Sequence, residues 1–538
     1  MMSTRSEPAG WVTARAEKIV HRILVAESLG SAGLEHLQQH AQVDVRLGLS
    51  ARELEALIPS YHALIVRSGT RVNAALLDAG RNLVVVGRAG VGVDNIDVEA
   101  ATRRGITVVN APTTNIVAAA EHTIALMCAL ARQIPQADQS VRAGEWKRER
   151  FVGVELVGKR LGLVGLGRVG TQVARRAIGL GMDVVAFDPY VSSERAQQLP
   201  VKLVSWEELL TSSDFVSLHT PVTSETKKLL GAKEFAVIKP GARLINAARG
   251  ALVDEAALLA ALDAGRLAGA ALDVFETEPP VNSRLLRDER VVVTPHIGGS
   301  TQESQVRVSL EIAGEVLAVL AGRPARFAVN APLASPTLAP LLPPYIDLAE
   351  RLGRFYTQWV GGPLDAIEIE YTGRLADEET GVLTAAVIKG LLESIREDRI
   401  NLVNARWVAQ THGLDVSEHK TQNTSRSESS IGLHGARRVV GTVRQNQPHI
   451  VQLDGYAVDA VASGYLLLTR HRDRPGMIGK VGTLLGNADI NIAAMQVARG
   501  APRGEAIMVL SLDDEVPEPV FEKLRQELGL EWAKVLLL

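Results

Sequence analysis

Arg160-Leu161-Gly162-Leu163-Val164-Gly165-Leu166-Gly167-Arg168-Val169-Gly170 is the stretch from which the rest of this chain can be read. A strand-like apolar run closes at Val164, a glycine turn follows, and residues 171–179 carry a helical pattern. A second apolar run, Asp183-Val184-Val185-Ala186-Phe187, ends on Asp188. Strand, glycine turn, helix, strand and acid, in that order, make a dinucleotide-binding unit. Gly165 permits the tight turn, Gly167 lets backbone N–H groups approach a pyrophosphate, and Gly170 lets helix and strand pack closely. The helix N-terminus adds partial positive charge. Asp188 stands about twenty residues on, where a carboxylate accepts hydrogen bonds from the adenosine ribose and repels a 2′-phosphate. The reading is therefore NAD rather than NADP.

At 538 residues the chain is too long for a single core and calls for three or four domains. The formal charge is −3, with 46% hydrophobic and 22% charged residues, which argues against nucleic acid as a partner. Cys128 is the sole cysteine, so no intrachain disulfide can form and a reducing, cytoplasmic setting is expected. Its apolar helical neighbours, residues 123–130, make it a packing residue. No apolar run approaches the roughly 20 residues of a membrane span, so no membrane partner is expected. Residues 1–20 are polar, lack a signal-peptide core, and read as a disordered extension.

Between Arg22 and Pro112 short β-like runs (residues 23–26, 63–66, 83–86 and 106–109) alternate with helical ones. That is the pattern of a parallel α/β lobe. A long helical stretch, residues 116–143, leads to the glycine turn, and a second α/β series follows at residues 215–218, 243–246, 270–273 and 291–294. A helix from Gln302 to about Ala321 ends at Gly322-Arg323-Pro324. The expected fold is α/β: two Rossmann-like doubly wound lobes, the cofactor lobe inserted into the substrate lobe. The substrate lobe takes residues 21–115 and 302–330, and the cofactor lobe residues 116–301. After a proline-dense passage an α+β intervening domain occupies residues 331–462, with helices at residues 345–359 and 378–395 and a polar, serine-rich loop at residues 419–430. Residues 463–538 read strand, helix, strand, strand, helix, strand, a ferredoxin-like unit.

Three elements beyond the glycine turn supply chemistry. In Asn246-Ala247-Ala248-Arg249-Gly250 a guanidinium follows an apolar strand, placed to grip a carboxylate and polarise a C2 oxygen. Leu272-Asp273-Val274-Phe275-Glu276-Thr277-Glu278 sets carboxylates at a strand end, and Thr294-Pro295-His296 sets a histidine at another. Oxidising a 2-hydroxy acid requires a base for the hydroxyl proton, and histidine titrates in the right range. All three elements lie where parallel α/β sheets bind their ligands. No metal-ligating set is assigned.

These residues, with Gly87-Arg88-Ala89-Gly90-Val91-Gly92-Val93-Asp94-Asn95, Asn110-Ala111-Pro112 and Ala120-Glu121-His122, resemble the D-isomer-specific 2-hydroxyacid dehydrogenase family from about Ile23 to Asn330. The resemblance implies Arg249 as the residue that binds and polarises substrate, Glu278 as the one that orients and charges the histidine, and His296 as the acid/base. It implies Asp273 on the nicotinamide amide, Arg168 and Val169 at the pyrophosphate, and Val91, Thr220, Pro221, Ala247 and Gly299 along the NAD cleft. Arg67, Ser68 and the backbone of Gly90 and Val91 would receive substrate. His219 is read as structural.

The tail narrows the substrate. Asp473-Arg474-Pro475-Gly476-Met477-Ile478-Gly479 with Asn487-Ala488-Asp489-Ile490-Asn491 resembles the opening of an ACT domain, and Asn401-Leu402-Val403-Asn404 resembles the intervening domain of long phosphoglycerate dehydrogenases. That likeness implies NAD-dependent oxidation of (2R)-3-phosphoglycerate in a homotetramer, with L-serine as effector at His471, Asp473 and Asn491. Asp473 can equally be a helix cap. Arg437, Arg438, Arg444 and His449 form either an anion site or a solvated basic face. Arg67, or the cluster Lys147, Arg148 and Arg150, would meet the substrate's phosphate, although the cluster also reads as a surface charge run. Two alternatives stay open: a glycerate, glyoxylate or 2-oxoglutarate reductase of the same family, or an NAD-sensing corepressor-like binding protein.

Overall fold

A computed structural model describes residues 21–192, 196, 199–332, 342–393, 400–421 and 428–538. The extension assigned to residues 1–20 lies outside them, as do most of the proline-dense passage and residues 422–427 of the serine-rich loop. The chain divides into two units. Among the described residues, one holds residues 21–28, 34–110 and those from Ile312 onward, and the other residues 29–33 and 111–311. In chain order the second is an insertion in the first.

The first unit opens with five parallel strands in the order β2-β1-β3-β4-β5: β1 Arg22–Val25, β2 Gln42–Val45, β3 Ala63–Val66, β4 Val85–Arg88 and β5 Thr107–Asn110. Ile23, Leu24, Val25 and all of β3 are buried, because parallel strands are covered on both faces and need continuous apolar runs. The sequence reading missed β2. As an edge strand with alternating Gln-Val-Asp-Val it lacks that run.

The inserted unit is built on seven parallel strands, order β12-β11-β10-β9-β6-β7-β8. They are β6 Arg160–Val164, β7 Asp183–Phe187, β8 Lys202–Leu203, β9 Phe215–Leu218, β10 Ala242–Asn246, β11 Leu267–Leu272 and β12 Val291–Val293. The chain winds outward from β6 through β7 and then returns to β9 on the other side of β6. The sheet therefore changes direction between β6 and β9, and a ligand crevice opens beyond the carboxyl ends of those strands. The single helix expected over residues 116–143 is two, α1 Ile116–Arg132 and α2 Ile134–Arg142. Gln133 adopts left-handed backbone between them, and Pro135 opens α2 because a proline cannot continue α1. The glycine turn feeds α3, Arg168–Gly179. The helix α4, Gln302–Leu320, leads back into the first unit.

There a mixed six-stranded sheet, order β14-β13-β15-β16-β17-β18, carries α5 (Leu342–Val360) and α6 (Gly381–Glu393). Its strands are β13 Ala366–Thr372, β14 Asp415–Thr421, β15 Ser430–His434, β16 Arg438–Arg444, β17 Gln447–Leu453 and β18 Tyr456–Val461. The expected loop is thus shorter than the sequence suggested: residues 419–421 close β14 and Ser430 opens β15, the strand pairing outweighing their polar composition. Four antiparallel strands follow in the order β20-β21-β19-β22: β19 Tyr465–Arg472, β20 Ile492–Arg499, β21 Glu505–Leu512 and β22 Trp532–Leu537. With α7 (Met477–Gly486) and α8 (Glu518–Leu528) they complete the ferredoxin-like unit. Leu466, Leu468, Ile507, Val509 and Leu536 from this unit share one core with Leu352, Tyr356 and Trp359 of α5. The burial that joins the two domains is continuous.

Candidate active site

The carboxyl edge of the seven-stranded sheet collects the chemistry-bearing residues. Beyond β6, Gly165 has φ +96°, and a Cβ there would stand 2.7 Å from the His219 carbonyl oxygen. Gly167 caps α3 in extended conformation with no side chain on the helix end, and a Cβ there would meet nothing within 4 Å. A Cβ on Gly170 would lie 2.2 Å from the Gly165 carbonyl oxygen, so only glycine lets α3 approach this closely. Asp188, beyond β7, accepts the Leu166 N–H at 2.8 Å through Oδ2 and the Tyr190 N–H at 2.9 Å through Oδ1. It braces the turn and keeps carboxylate lone pairs for a ribose. The cradle, the uncapped helix end and the acid fit NAD, with the acid standing against a 2′-phosphate. Arg168 is exposed at the same turn, its Nη1 3.5 Å from the Pro112 carbonyl oxygen.

Beyond β9, Ser217 Oγ is 2.9 Å from His219 Nε2, and burial pushes the His219 imidazole down to about 4. A neutral ring held this way is a packing and hydrogen-bonding element. Thr220 and Pro221 continue the same turn, where the Pro221 carbonyl accepts the Thr226 hydroxyl at 2.7 Å.

Beyond β10, Asn246 shapes the turn that presents Arg249. Its Oδ1 accepts the Ala248 N–H at 3.1 Å, and its Nδ2 donates to the Arg249 carbonyl at 2.9 Å. Arg249 Nη1 donates to the Ala248 carbonyl at 2.7 Å. The next residue, Gly250, passes so close to Phe275 that a Cβ would sit 1.9 Å from its carbonyl carbon. The arginine turn and the loop that carries Glu278 are therefore pressed together.

Glu278 Oε2 lies 2.7 Å from His296 Nδ1, while Oε1 accepts the Phe275 N–H at 3.1 Å. Burial works to raise the Glu278 pKa. The hydrogen bond from His296 and the Phe275 N–H, with the His296 charge, outweigh it and hold the carboxyl below its usual range. A carboxylate at Nδ1 fixes the tautomer and leaves Nε2 to exchange the proton. His296 itself has φ +55°, left-handed backbone that is uncommon for a non-glycine residue.

Asp273 is fully buried at the end of β11. Its Oδ1 accepts Thr294 Oγ1 at 2.6 Å and the Ile297 N–H at 2.8 Å, and Oδ2 accepts the Gly298 N–H at 2.8 Å. Burial favours its protonation, but bonds from His122, Thr294 and these two N–H groups together keep its pKa low. The sequence reading assigned this carboxylate to the nicotinamide; the structure shows it bonded to Thr294, Ile297 and Gly298, partners that the sequence did not reveal. Gly299 is the nearby close approach, a Cβ there standing 3.0 Å from Asn115 Nδ2.

In the first unit, the loop holding Arg67 and Ser68 is anchored by a residue the sequence reading overlooked. Glu27, just past β1, accepts the N–H groups of Arg67 (2.9 Å), Gly69 (3.2 Å) and Thr70 (2.8 Å). Burial opposes ionisation of Glu27, and those backbone donors more than offset it. Asn95 Nδ2 donates to the carbonyls of Arg67 and Thr70, and Asn110 Nδ2 donates to that of Val91. An acid just past an apolar strand is the signal the sequence held for Glu27. Of the basic cluster, Lys147 pairs with Glu145 and Arg150 with Glu289.

The ferredoxin-like unit brings His471 and Asp473 to one hollow of about 430 Å³, together with Arg499 and Arg503. His471 is buried and pushed down by that burial. Asp473 Oδ2 accepts Arg499 Nη1 at 2.7 Å and the Arg503 N–H at 3.3 Å, an ion-paired role rather than that of a helix cap. Asn491 does not line that hollow; its Nδ2 donates to Asp513 at 2.6 Å. The basic residues of the intervening domain are each matched to acids: Arg437 to Asp454, Arg438 to Glu370, Arg444 to Glu428 and Asp459, His449 to Asp459. Among the described residues no group of three or more His, Cys, Asp or Glu could hold a metal ion. No helix among them is long and apolar enough to cross a membrane.

Residues 124–298 match the model of the D-isomer specific 2-hydroxyacid dehydrogenase NAD-binding domain. Residues 341–454 match the D-3-phosphoglycerate dehydrogenase intervening domain, and residues 465–529 the ACT domain. A solved Thermus thermophilus protein, 39% identical, aligns with TM-score 0.54 over 57% of this chain and 99% of its own. The D-lactate dehydrogenase of Escherichia coli, 27% identical, aligns with TM-score 0.52 over 57% of this chain and 99% of its own. The chain belongs to the D-isomer specific 2-hydroxyacid dehydrogenase family, NAD-dependent oxidoreductases. Relatives matched over 95% of this chain include D-3-phosphoglycerate dehydrogenases. The Synechocystis enzyme is 44% identical over 95% of this chain and 94% of its own, and that of Archaeoglobus fulgidus is 44% identical over 95% and 98%.

Proposed function

We propose that this enzyme oxidises (2R)-3-phosphoglycerate to 3-phosphooxypyruvate with NAD, opening L-serine biosynthesis. The Glu278–His296 pair, 2.7 Å apart on the sheet edge that also carries Arg249 and the glycine turn, is the observation that carries this reading. NAD, when bound, supplies the hydride acceptor. His296 Nε2 takes the C2 hydroxyl proton, and Glu278 at Nδ1 stabilises the imidazolium that forms. Arg249 holds the substrate carboxylate and polarises the C2 oxygen. Arg67, Ser68 and the Gly90–Val91 backbone receive the anionic end of the substrate.

L-serine is the proposed effector, taken by the hollow at His471 and Asp473, whose charged and buried polar groups suit a small zwitterion. A cytoplasmic homotetramer is proposed on the family likeness and the single cysteine. His296→Ala tests the mechanism: NADH formation should be abolished while NADH binding, followed by its fluorescence, is retained. Turnover that survives the substitution overturns the proposal.

A further inference from the structure

We infer that His122, on α1, is a positioning residue for the acid/base His296, acting through Asp273. The left-handed backbone of His296 is uncommon for a residue with a side chain, and the loop that adopts it is held by hydrogen bonds to Asp273. Three consecutive N–H groups end on one residue. His296 donates to the Asp273 carbonyl at 2.8 Å, Ile297 to Oδ1 and Gly298 to Oδ2, each at 2.8 Å. A fully buried carboxylate that accepts loop N–H groups is held ionised more firmly by a further side-chain donor.

His122 provides it. Its Nε2 lies 3.2 Å from Asp273 Oδ1 and 3.1 Å from Thr294 Oγ1, which itself donates to Asp273. The ring is mostly buried, with 18% of its side chain exposed, so solvent screens the interaction little. The loop also rests against this pair: a Cβ on Gly298 would come 3.1 Å from Asp273 Oδ2 and 3.7 Å from His122 Cδ2. A helix more than one hundred and fifty residues upstream in the chain thus fixes the backbone of the residue that moves the proton. His122 touches neither the imidazole nor Glu278 directly in any bond the structure contains among the described residues, so its effect must pass through the loop.

The inference rests on the reading of His296 as acid/base, and the test separates the two. His122→Ala should lower kcat roughly ten- to hundredfold, the loss expected for a bond to a charged group, with KM for 3-phosphoglycerate unchanged. His122→Gln, which places an N–H donor near the position of Nε2, should recover kcat to within about threefold of the parent. Thr294→Val, which removes the second donor, should reproduce the kcat loss, and serves if His122→Ala does not fold. Full kcat in His122→Ala, or equal impairment of the Ala and Gln variants, overturns the inference while an inactive His296→Ala enzyme leaves the function standing. An active His296→Ala enzyme overturns both.

Discussion

Replacing Gly170 by alanine introduces a methyl group whose carbon would stand 2.2 Å from the Gly165 carbonyl oxygen. The oxygen belongs to backbone, in a turn that Asp188 and the Phe187 carbonyl already hold from the other side. Neither partner can rotate away, so α3 must retreat by about 1 Å to restore van der Waals contact. Overpacking of this kind costs about 1–3 kcal/mol. Because the retreat carries the helix N-terminus away from the pyrophosphate, NADH affinity should fall roughly ten- to hundredfold, at 1.4 kcal/mol per decade. Gly167→Ala is the matched control. Its methyl meets nothing within 4 Å, so thermal stability should be unchanged, yet it occupies the space a pyrophosphate must enter. Fluorescence titration with NADH and a thermal melt on both variants decide the matter. The reasoning fails if Gly170→Ala binds and melts like the parent, or if Gly167→Ala keeps full affinity.

Glu278→Gln removes the negative charge at His296 Nδ1 and should lower kcat by roughly a hundredfold, with KM less affected, in steady-state kinetics. His219 gives a pH dependence of stability. Its folded pKa of about 4 lies below the ordinary value of 6.5, so the unfolded chain binds the extra proton first. Stability is complete above the higher value and is lost as pH falls toward the lower one, by about 2 kcal/mol between about pH 7 and pH 5. Urea denaturation should show this loss, and His219→Gln should abolish it. The Arg437 guanidinium lies over both Trp359 and Trp532, 4.9 and 5.0 Å from their ring centroids. Arg437→Ala should therefore destabilise the junction of the intervening and ACT domains by about 2 kcal/mol, seen as earlier hydrogen exchange in β22.

The glycine turn, Arg249, the carboxylates of residues 273–278 and His296 stood out in the sequence because each lies within a few residues of a strand end, and strands of a parallel sheet announce themselves as apolar runs; Glu278 was singled out among those acids by family resemblance. What escaped was set by partners far apart in the chain. His122 and Asp273 meet only once α1 packs beside β11, and Glu27 reaches under a loop forty residues away. The Asp273 clasp on the His296 loop joins residues more than twenty apart in the chain. The edge strand β2 and the break at Gln133 were missed for the opposite reason, a weak or mixed local pattern. Tail residues named as one effector set divide in the structure, with Asn491 bonded to Asp513 away from His471 and Asp473.

Initial rates of NADH formation, measured with (2R)-3-phosphoglycerate beside glycerate and D-lactate at equal concentration, decide the chemistry proposed for the Arg249–Glu278–His296 edge. The phosphorylated acid should be oxidised fastest, with NAD strongly preferred over NADP because Asp188 repels a 2′-phosphate. A faster rate on an unphosphorylated acid, or none on any, would contradict it.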